Sequence, residues 1–590
     1  LNSWPTNEKI SPVDEVALAD VAVRPEVLPH LAGALRTAMA PGHEQVMPRL
    51  LLIQPPVQDF YDTDIRLQPI GLYYLKAAVQ KYLPEFQVLV RDFHHGQGRK
   101  TIPLPRELRY LKPFYQFADA SPFSTFHQYY HFGVPFAEII SQVLKEKPDI
   151  IGISSLFSPY YREVLTLAAG LKQAMDCPII VGGSHVSCAP EMMLGDANVD
   201  FIIRGEGERP LVEFLKAWQQ GRDLACVPNL GYKKGRELIF NDLAPNYPLD
   251  ELPIPDLPDS ETGRYLFNGR PITFVLTSRG CPLQCSFCSV RLTFGSLYRR
   301  RTAEDVLAEI AHRYSQGFRV FDFEDDNLTF DKSEMQHLCR LLINRFHGRD
   351  LQLLAMNGVS YASLDRQTLQ LMRQAGFTNL NLALVSCKQE ILSAVGRTQR
   401  VAQFAEVVEA AADLGFAMVA YLILGLPGDN PANMIDSLLT LARLPVLIGV
   451  SIFYLTPGTP MAESFPPLTP KDIFLSRATA MAIETEGVRR RDLYTLFITA
   501  RIINFLKGLE FAGQNQSLDQ LLADSAAMDQ RPRLGLDLLG RLLAEGKLYA
   551  AAGKGLQAVP EFGVQLFLQF WGKLDRLTTL AGKQLVIRDG

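Results

Sequence analysis

Hydrophobic residues in this chain fall into short blocks rather than long stripes. Residues 49–53, 86–90, 149–155, 178–181 and 199–203 are such blocks, each running into Gln, Asp, Ser or Gly. Short apolar runs closed by turn residues predict buried strands. Between them, residues 71–82 and 161–175 carry helical spacing. Continuous apolar strands alternating with helices predict a parallel, doubly wound sheet, whose ligands lie beyond the carboxyl ends of its strands. This unit covers residues 48–225.

The same rhythm resumes at Pro271. Apolar runs at 272–276, 318–323, 351–356, 379–384, 417–424 and 449–455 are separated by helical patterns. Six β-α units predict a partial (β/α)6 barrel over 271–465, with its chemistry on the loops that follow the strands. Residues 226–270 hold a hairpin at 231–235 and the proline-rich run Leu252-Pro253-Ile254-Pro255-Asp256-Leu257-Pro258, which predicts an extended linker. Past 465 the alternation stops. Residues 471–486, 492–509, 518–545 and 561–582 read as helices, so 466–590 is expected to be a C-terminal helical domain. Residues 1–47 read as an N-terminal arm. The fold class is therefore α/β throughout, closed by helices.

Composition narrows the function. A chain of 590 residues is too long for one core. A net charge of −4, with 21% charged and 47% hydrophobic residues, points away from nucleic acid and anionic membranes. The longest uncharged stretch, 444–462, is broken by Pro457-Gly458-Thr459-Pro460 and reads as strand plus turn, not a membrane span. The start, Leu1-Asn2-Ser3-Trp4-Pro5, lacks the build of a signal peptide. Eight cysteines make no disulfide framework, and a cytoplasmic location is expected.

Three of those cysteines, Cys281, Cys285 and Cys288, fall within eight residues on the loop after the first barrel strand. Three thiolates can hold three irons of a [4Fe–4S] cluster and leave the fourth open to a small molecule. A zinc site would want a fourth ligand, and none follows at short spacing. With its Arg279-Gly280-Cys281-Pro282 lead-in, this loop resembles the cluster loop of the radical S-adenosylmethionine (SAM) enzymes. The resemblance implies that the open iron binds the amino and carboxylate groups of SAM and that Phe287 lies against the adenine. It implies that Asp325 or Asp326 accepts a hydrogen bond from the SAM amine, and that Arg397 faces the carboxylate. Ser386 would bond ribose or carboxylate, and Ile423 and Gly425 would lie beside the adenine. One departure stands out: where relatives carry Gly-Val-Glu-Ser-Gly, this chain has Ala383-Leu384-Val385-Ser386-Cys387, and Val385 cannot replace the glutamate. Cys387 reads as a small buried hydrophobe, with a hydrogen donor at the active site as the other reading.

The first sheet unit is similar to the cobalamin-binding domain that precedes the barrel in one large subgroup of that family. The resemblance rests on its strand-end loops and implies cobalamin contacts from Gln54 and Pro55, Ser154 and Ser155, Gly182, Gly183, Ser184 and His185, and Gly205 and Glu206. Fold logic alone also allows a nucleotide binder or a cofactor-free flavodoxin-like domain, but no GxGxxG follows the first strand. The segment Asp92-Phe93-His94-His95-Gly96-Gln97-Gly98 approximates an Asp-x-His-x-x-Gly cobalt-binding loop. It has Gln97 at the sixth position and follows the second strand, so no histidine of this chain is expected on cobalt. The loop of His185 resembles one that packs on the cofactor's nucleotide tail.

Together the resemblances imply a cobalamin-dependent radical SAM enzyme, with methylation of an unactivated carbon of a small molecule as the expected reaction. In that scheme a 5′-deoxyadenosyl radical takes a hydrogen from substrate, the substrate radical takes a methyl group from methylcobalamin, and a second SAM restores it. An external electron donor such as flavodoxin or ferredoxin is expected. The same cofactors could serve a radical cyclisation, oxidation or rearrangement. A methylthiotransferase would need extra N-terminal cluster cysteines and a basic C-terminal β-domain, and a corrinoid carrier would not need Cys281, Cys285 and Cys288.

Overall fold

The computed structural model describes residues 47–63, 68–553 and 555–588. The predicted N-terminal arm lies outside these residues except for Met47. The first sheet begins with β1 (Arg49–Gln54), followed by helix α1 (Ile70–Tyr82) and β2 (Gln87–Asp92). β3 (Ile150–Ser154), α2 (Tyr161–Ala174), β4 (Ile179–Gly182), β5 (Phe201–Ile203) and α3 (Glu208–Gln220) complete its wound part. The parallel order is β2-β1-β3-β4-β5, which reverses direction between β1 and β3. Leu50 and Leu52 pack on one face of the sheet with Val79 and Phe214, while Leu51 and Ile53 pack on the other with Ile151 and Ile153. Burial on both faces is why these strands read as unbroken apolar runs.

The hairpin predicted ahead of the linker is β6 (Leu230–Lys234) and β7 (Glu237–Phe240). It extends the first sheet rather than standing apart from it: β6 pairs antiparallel with β5, placing Leu230 opposite Ile203.

The second sheet opens with β8 (Leu266–Phe267), antiparallel to β9 (Arg270–Val275). β10 (Val320–Phe323), β11 (Gln352–Val359), β12 (Phe377–Val385), β13 (Ala417–Leu424) and β14 (Leu447–Ile452) follow in parallel, giving a curled half-barrel. Helix α4 (Ala303–Ser315) follows the cysteine loop, capped by the Thr302 hydroxyl, which accepts from Asp305 N.

After the barrel the chain departs from the expected pattern. The helix predicted over 471–486 ends at Phe474, whose carbonyl accepts from Arg477 Nε. The segment then crosses to the first unit, where the buried Arg477 pairs with the buried Asp59 at 3.2 Å. Helix α5 (Arg490–Lys507) lies along β14, and Asn504 both donates to and accepts from the Ile448 backbone at 2.8 and 2.9 Å. The remainder is mostly helical and carries two small sheets between and after its helices. One apolar core runs from the first sheet through the barrel to these helices. Among the described residues, no helix is long and apolar enough to cross a membrane.

Candidate functional site

The cysteine loop leaves β9 through Ser278 and Arg279, which pair antiparallel with Arg300 and Arg299 and close the loop at its base. Its backbone is held at the centre, since Ser286 N donates to the Val395 carbonyl and Met461 N donates to the Ser286 carbonyl. Gly396 fits against the loop only without a side chain, because a Cβ there would come within 2.4 Å of the Gln284 carbonyl oxygen. Cys281, Cys285 and Cys288 are all partly buried. Burial pushes the Cys288 thiol up to about 11 and raises Cys285, which the nearby Arg397 pulls back down. A thiol this costly to ionise becomes a thiolate when a metal supplies the positive charge. Asn327 Nδ2 lies 3.5 Å from Cys281 Sγ, placed to donate to sulfur. Among the described residues, no three His, Cys, Asp or Glu side chains converge on a single metal ion. A cluster does not ask for that, since each of its thiolates binds a different iron. The donor set therefore fits a [4Fe–4S] cluster.

The two carboxylates expected after β10 have different settings. The buried Asp325 accepts from Thr277 N and from the Thr277 and Ser278 hydroxyls, so it is saturated by the loop it anchors. Asp326 accepts from Gly280 N at 2.9 Å and is pushed up to about 6 by burial. The residue not singled out from sequence is their neighbour Glu324. Among the described residues no donor reaches its carboxylate, and burial, then Asp322 and Asp325, push it up to about 8. A cation beside Glu324 would relieve that penalty.

Two other residues expected at SAM lie together. Phe287 and Ile423 pack on one apolar cluster with Val385 and Phe453. Arg397 is buried, donates from Nη1 to the Ala383 carbonyl at 3.2 Å, and keeps a buried Nε without a partner. Ser386 is buried, and its hydroxyl accepts from Lys388 N. Gly425 turns with φ +83° against Leu493 of α5. Val385 has φ +74°, a strained conformation for a β-branched residue, at the point where the β12–β13 register shifts. Cys387 faces the helix Pro431–Ala442, with Sγ 4.0 Å from the Ser437 carbonyl, and burial pushes its thiol up to about 11.

At the first sheet, the loops after β1 and β3 flank the point where strand order reverses, the place where such sheets bind ligands. Gln54, Pro55, Ser154 and Ser155 line a small crevice there with Phe157 and Tyr160. Gly183 (φ +124°) packs on this loop, and a Cβ would meet the Ser155 carbonyl oxygen at 2.5 Å. Gln54 Oε1, Ser155 Oγ and His185 Nε2 are buried without a partner. Unpaired buried polar atoms beside close-packed backbone suit a large flat polar ligand such as a corrin. His185 is fully buried, with Nδ1 3.0 Å from Ser158 Oγ, and burial lowers it to about 4. Gly182 and Ser184 flank the turn that positions it. Glu206 has a different setting: with Glu208 it grips Arg279 and Arg299 at the base of the cysteine loop, and Gly205 lies beside Thr293.

The two units thus meet at the loop. The short helix Ser184–Cys188 packs on Val290–Phe294 just after Cys288, and Cys188 lies within electrostatic reach of Cys288. Tyr454, on the loop after β14, keeps 38% of its surface open and lies within electrostatic reach of both Cys288 and Tyr61 of the first unit. Neither Cys188 nor Tyr454 carries a local motif that would reveal it.

Residues 275–441 match the radical SAM superfamily, and residues 124–215 match the B12 binding domain. Over 302 residues the chain is 29% identical to an uncharacterized methyltransferase of Pyrococcus horikoshii, covering 50% of this chain and 64% of that protein. It is 27% identical over 319 residues to an anaerobic magnesium-protoporphyrin IX monomethyl ester cyclase of Rubrivivax gelatinosus, covering 52% of this chain and 56% of that one. The chain therefore spans less than two thirds of the length of either relative. The radical S-adenosylmethionine methyltransferase TsrM of Kitasatospora setae, solved with cobalamin and a [4Fe–4S] cluster, shares the fold: TM-score 0.55 at 18% identity, covering 70% of this chain and 77% of that one. A B12 binding domain joined to a radical SAM barrel defines the class. By its two matched domains the chain is similar to the cobalamin-binding radical SAM enzymes.

Proposed function

We propose that the protein methylates an unactivated carbon of a small molecule, using SAM and cobalamin. The observation that carries this reading is the meeting of the first sheet's binding edge with the cysteine loop, sealed by Glu206, Glu208 and Arg279. When bound, the cluster and SAM supply a 5′-deoxyadenosyl radical and cobalamin supplies the methyl group. The chain's own contribution is positioning and exclusion of water. Cys281, Cys285 and Cys288 would hold the cluster. Arg397 Nε is offered to the SAM carboxylate and Glu324 to its amine, while Phe287 and Ile423 form an apolar wall for the adenine. Gln54, Pro55, Ser154, Ser155 and the Gly182–His185 turn would cradle cobalamin. An external low-potential donor such as flavodoxin or ferredoxin would supply electrons, and the cluster's need for a reducing compartment supports a cytoplasmic location.

A second reading keeps these cofactors for a radical cyclisation or oxidation, and the relative named as a cyclase favours it. Anaerobic turnover with methyl-labelled SAM separates the two. Methylation yields 5′-deoxyadenosine and S-adenosylhomocysteine in near-equal amounts and a labelled product. Deoxyadenosine without substrate-dependent S-adenosylhomocysteine, and a product without label, would move the assignment to the second reading.

A further inference from the structure

Two cavities meet where α5 lies on β14. The inner one, about 250 Å³, is walled by Tyr61, Tyr115, Phe126, Val450 and Phe497. The outer one, about 440 Å³, opens past Phe505, Pro122 and Arg531. Arg501 and Asn504 line both. Asn504 is committed to the Ile448 backbone, whereas Arg501, one turn earlier on the same helix, is not committed.

Among the described residues, the Arg501 guanidinium has no hydrogen bond or ion pair. It lies 5.8 Å from the Phe497 ring, and its Nε is buried without a partner. The two carboxylates near enough to influence it have other partners. Asp62 pairs with Arg99 at 3.5 Å, and Asp119 accepts from Ser121 and from Ala551 N. Burial disfavours the charge on Arg501, yet a guanidinium does not deprotonate in a protein. A desolvated, unpaired cation at the junction of two cavities is a seat for an anion. The inner chamber reaches the carboxyl end of β14, since Ile452 lines it and Tyr454 follows two residues later.

We infer that this passage is the substrate site, and that it takes an apolar, flat or chain-like molecule bearing one anionic group, carboxylate or phosphate. Arg501 holds the anion and the aromatic chamber holds the body, whose far end points past Tyr61 to the barrel mouth. The inference rests on reading that mouth as the reaction centre.

The test uses the full chain and two dyes with the same rings, 8-anilinonaphthalene-1-sulfonate and the uncharged N-phenyl-1-naphthylamine. Arg501→Leu should weaken the sulfonate dye about tenfold, the loss of one charge-assisted contact. Arg501→Lys should weaken it less, and the uncharged dye should be unaffected by either change. Ala500→Trp, which fills the inner chamber, should expel both dyes. Equal sulfonate affinity in wild type and Arg501→Leu would overturn the inference, as would sulfonate binding that survives Ala500→Trp. Displacement of the dye by dodecanoate or by dodecyl phosphate tells which anion the site prefers. SAM cleavage by the wild-type holoenzyme is measured separately: its absence would sink the catalytic reading while leaving the dye result standing, and the reverse outcome would sink only the passage.

Discussion

Asp59 lies on the seam between the two units and Glu324 at the end of barrel strand β10, and the surroundings of these two acidic side chains are opposite. Asp59 is fully buried and receives four donors: Phe60 N, the hydroxyls of Thr479 and Tyr160, and the Arg477 guanidinium. Glu324 receives none among the described residues and faces Asp322 and Asp325 instead. The same contrast holds more widely. Along the seam, Glu309 meets Arg301, Arg313 and the Tyr74 hydroxyl, and Glu208 meets Arg279 and Tyr247. At the strand ends, Gln54, Ser155, Ser286 and Arg397 keep buried polar atoms without partners. These seam carboxylates are met by donors within the chain and serve folding, though the Nε atoms of Arg299, Arg301 and Arg313 stay buried without a partner. At the mouth the open groups are polar atoms free to meet a ligand.

The sharpest way to separate the two regions is to strip the mouth of its candidate cluster ligands. Changing Cys281, Cys285 and Cys288 together to Ala should remove all bound iron and all SAM cleavage while leaving a folded chain. Iron analysis, Mössbauer spectroscopy and far-UV circular dichroism read the three outcomes. A full cluster in this variant would end the assignment of these ligands.

Breaking the seam should do the reverse. Arg477→Leu leaves Asp59 buried without its counter-charge, and removing one partner of a buried pair costs about 3–5 kcal/mol. The denaturation midpoint should fall accordingly, and adding Asp59→Asn should restore part of it. If Arg477→Leu unfolds like wild type, the seam is not what joins the two units.

These two changes also mark what could be read from the sequence. The cysteine loop is a local motif, and the strands announce themselves by unbroken apolar runs, so the two sheets and the candidate cluster were legible. Saturation was not. Asp325 looked available because its partners, Thr277 and Ser278, lie 48 and 47 residues earlier. Asp59 and Arg477 are 418 residues apart, and nothing local marks either as a partner. Glu206 sits on a strand-end loop as expected, but the fold turns it toward Arg279 and Arg299 rather than the crevice. The positive φ of Val385 likewise coincides with the β12–β13 register shift and leaves no trace in residue type.

A smaller effect sharpens the contrast by pH. Glu324 titrates near 8 in the folded protein against 4.5 ordinarily, so between those values the folded state holds a proton that the unfolded state has lost. Its contribution to stability therefore falls as pH rises from 4.5 toward 8. In the ligand-free protein, Glu324→Gln should lose less stability than wild type over that window, measured as the difference between their urea midpoints at pH 5 and pH 8. An unchanged difference would mean that Glu324 is ordinarily solvated and not waiting for a cation. Added SAM should narrow the gap, since a cationic amine favours the ionised carboxylate.

The smallest expected effect is none at all. His94 and His185 are both fully enclosed, His94 with Nδ1 3.4 Å from the Phe132 carbonyl and His185 held by Ser158 and tilted on Tyr161. Neither ring opens onto the crevice between the loops after β1 and β3. A histidine ligand to cobalt would have to leave its packing to reach the metal. Protein loaded with cob(II)alamin should therefore give the same electron paramagnetic resonance spectrum in wild type, His94→Ala and His185→Ala. A three-line nitrogen splitting present in wild type and lost in either variant would put that histidine on cobalt.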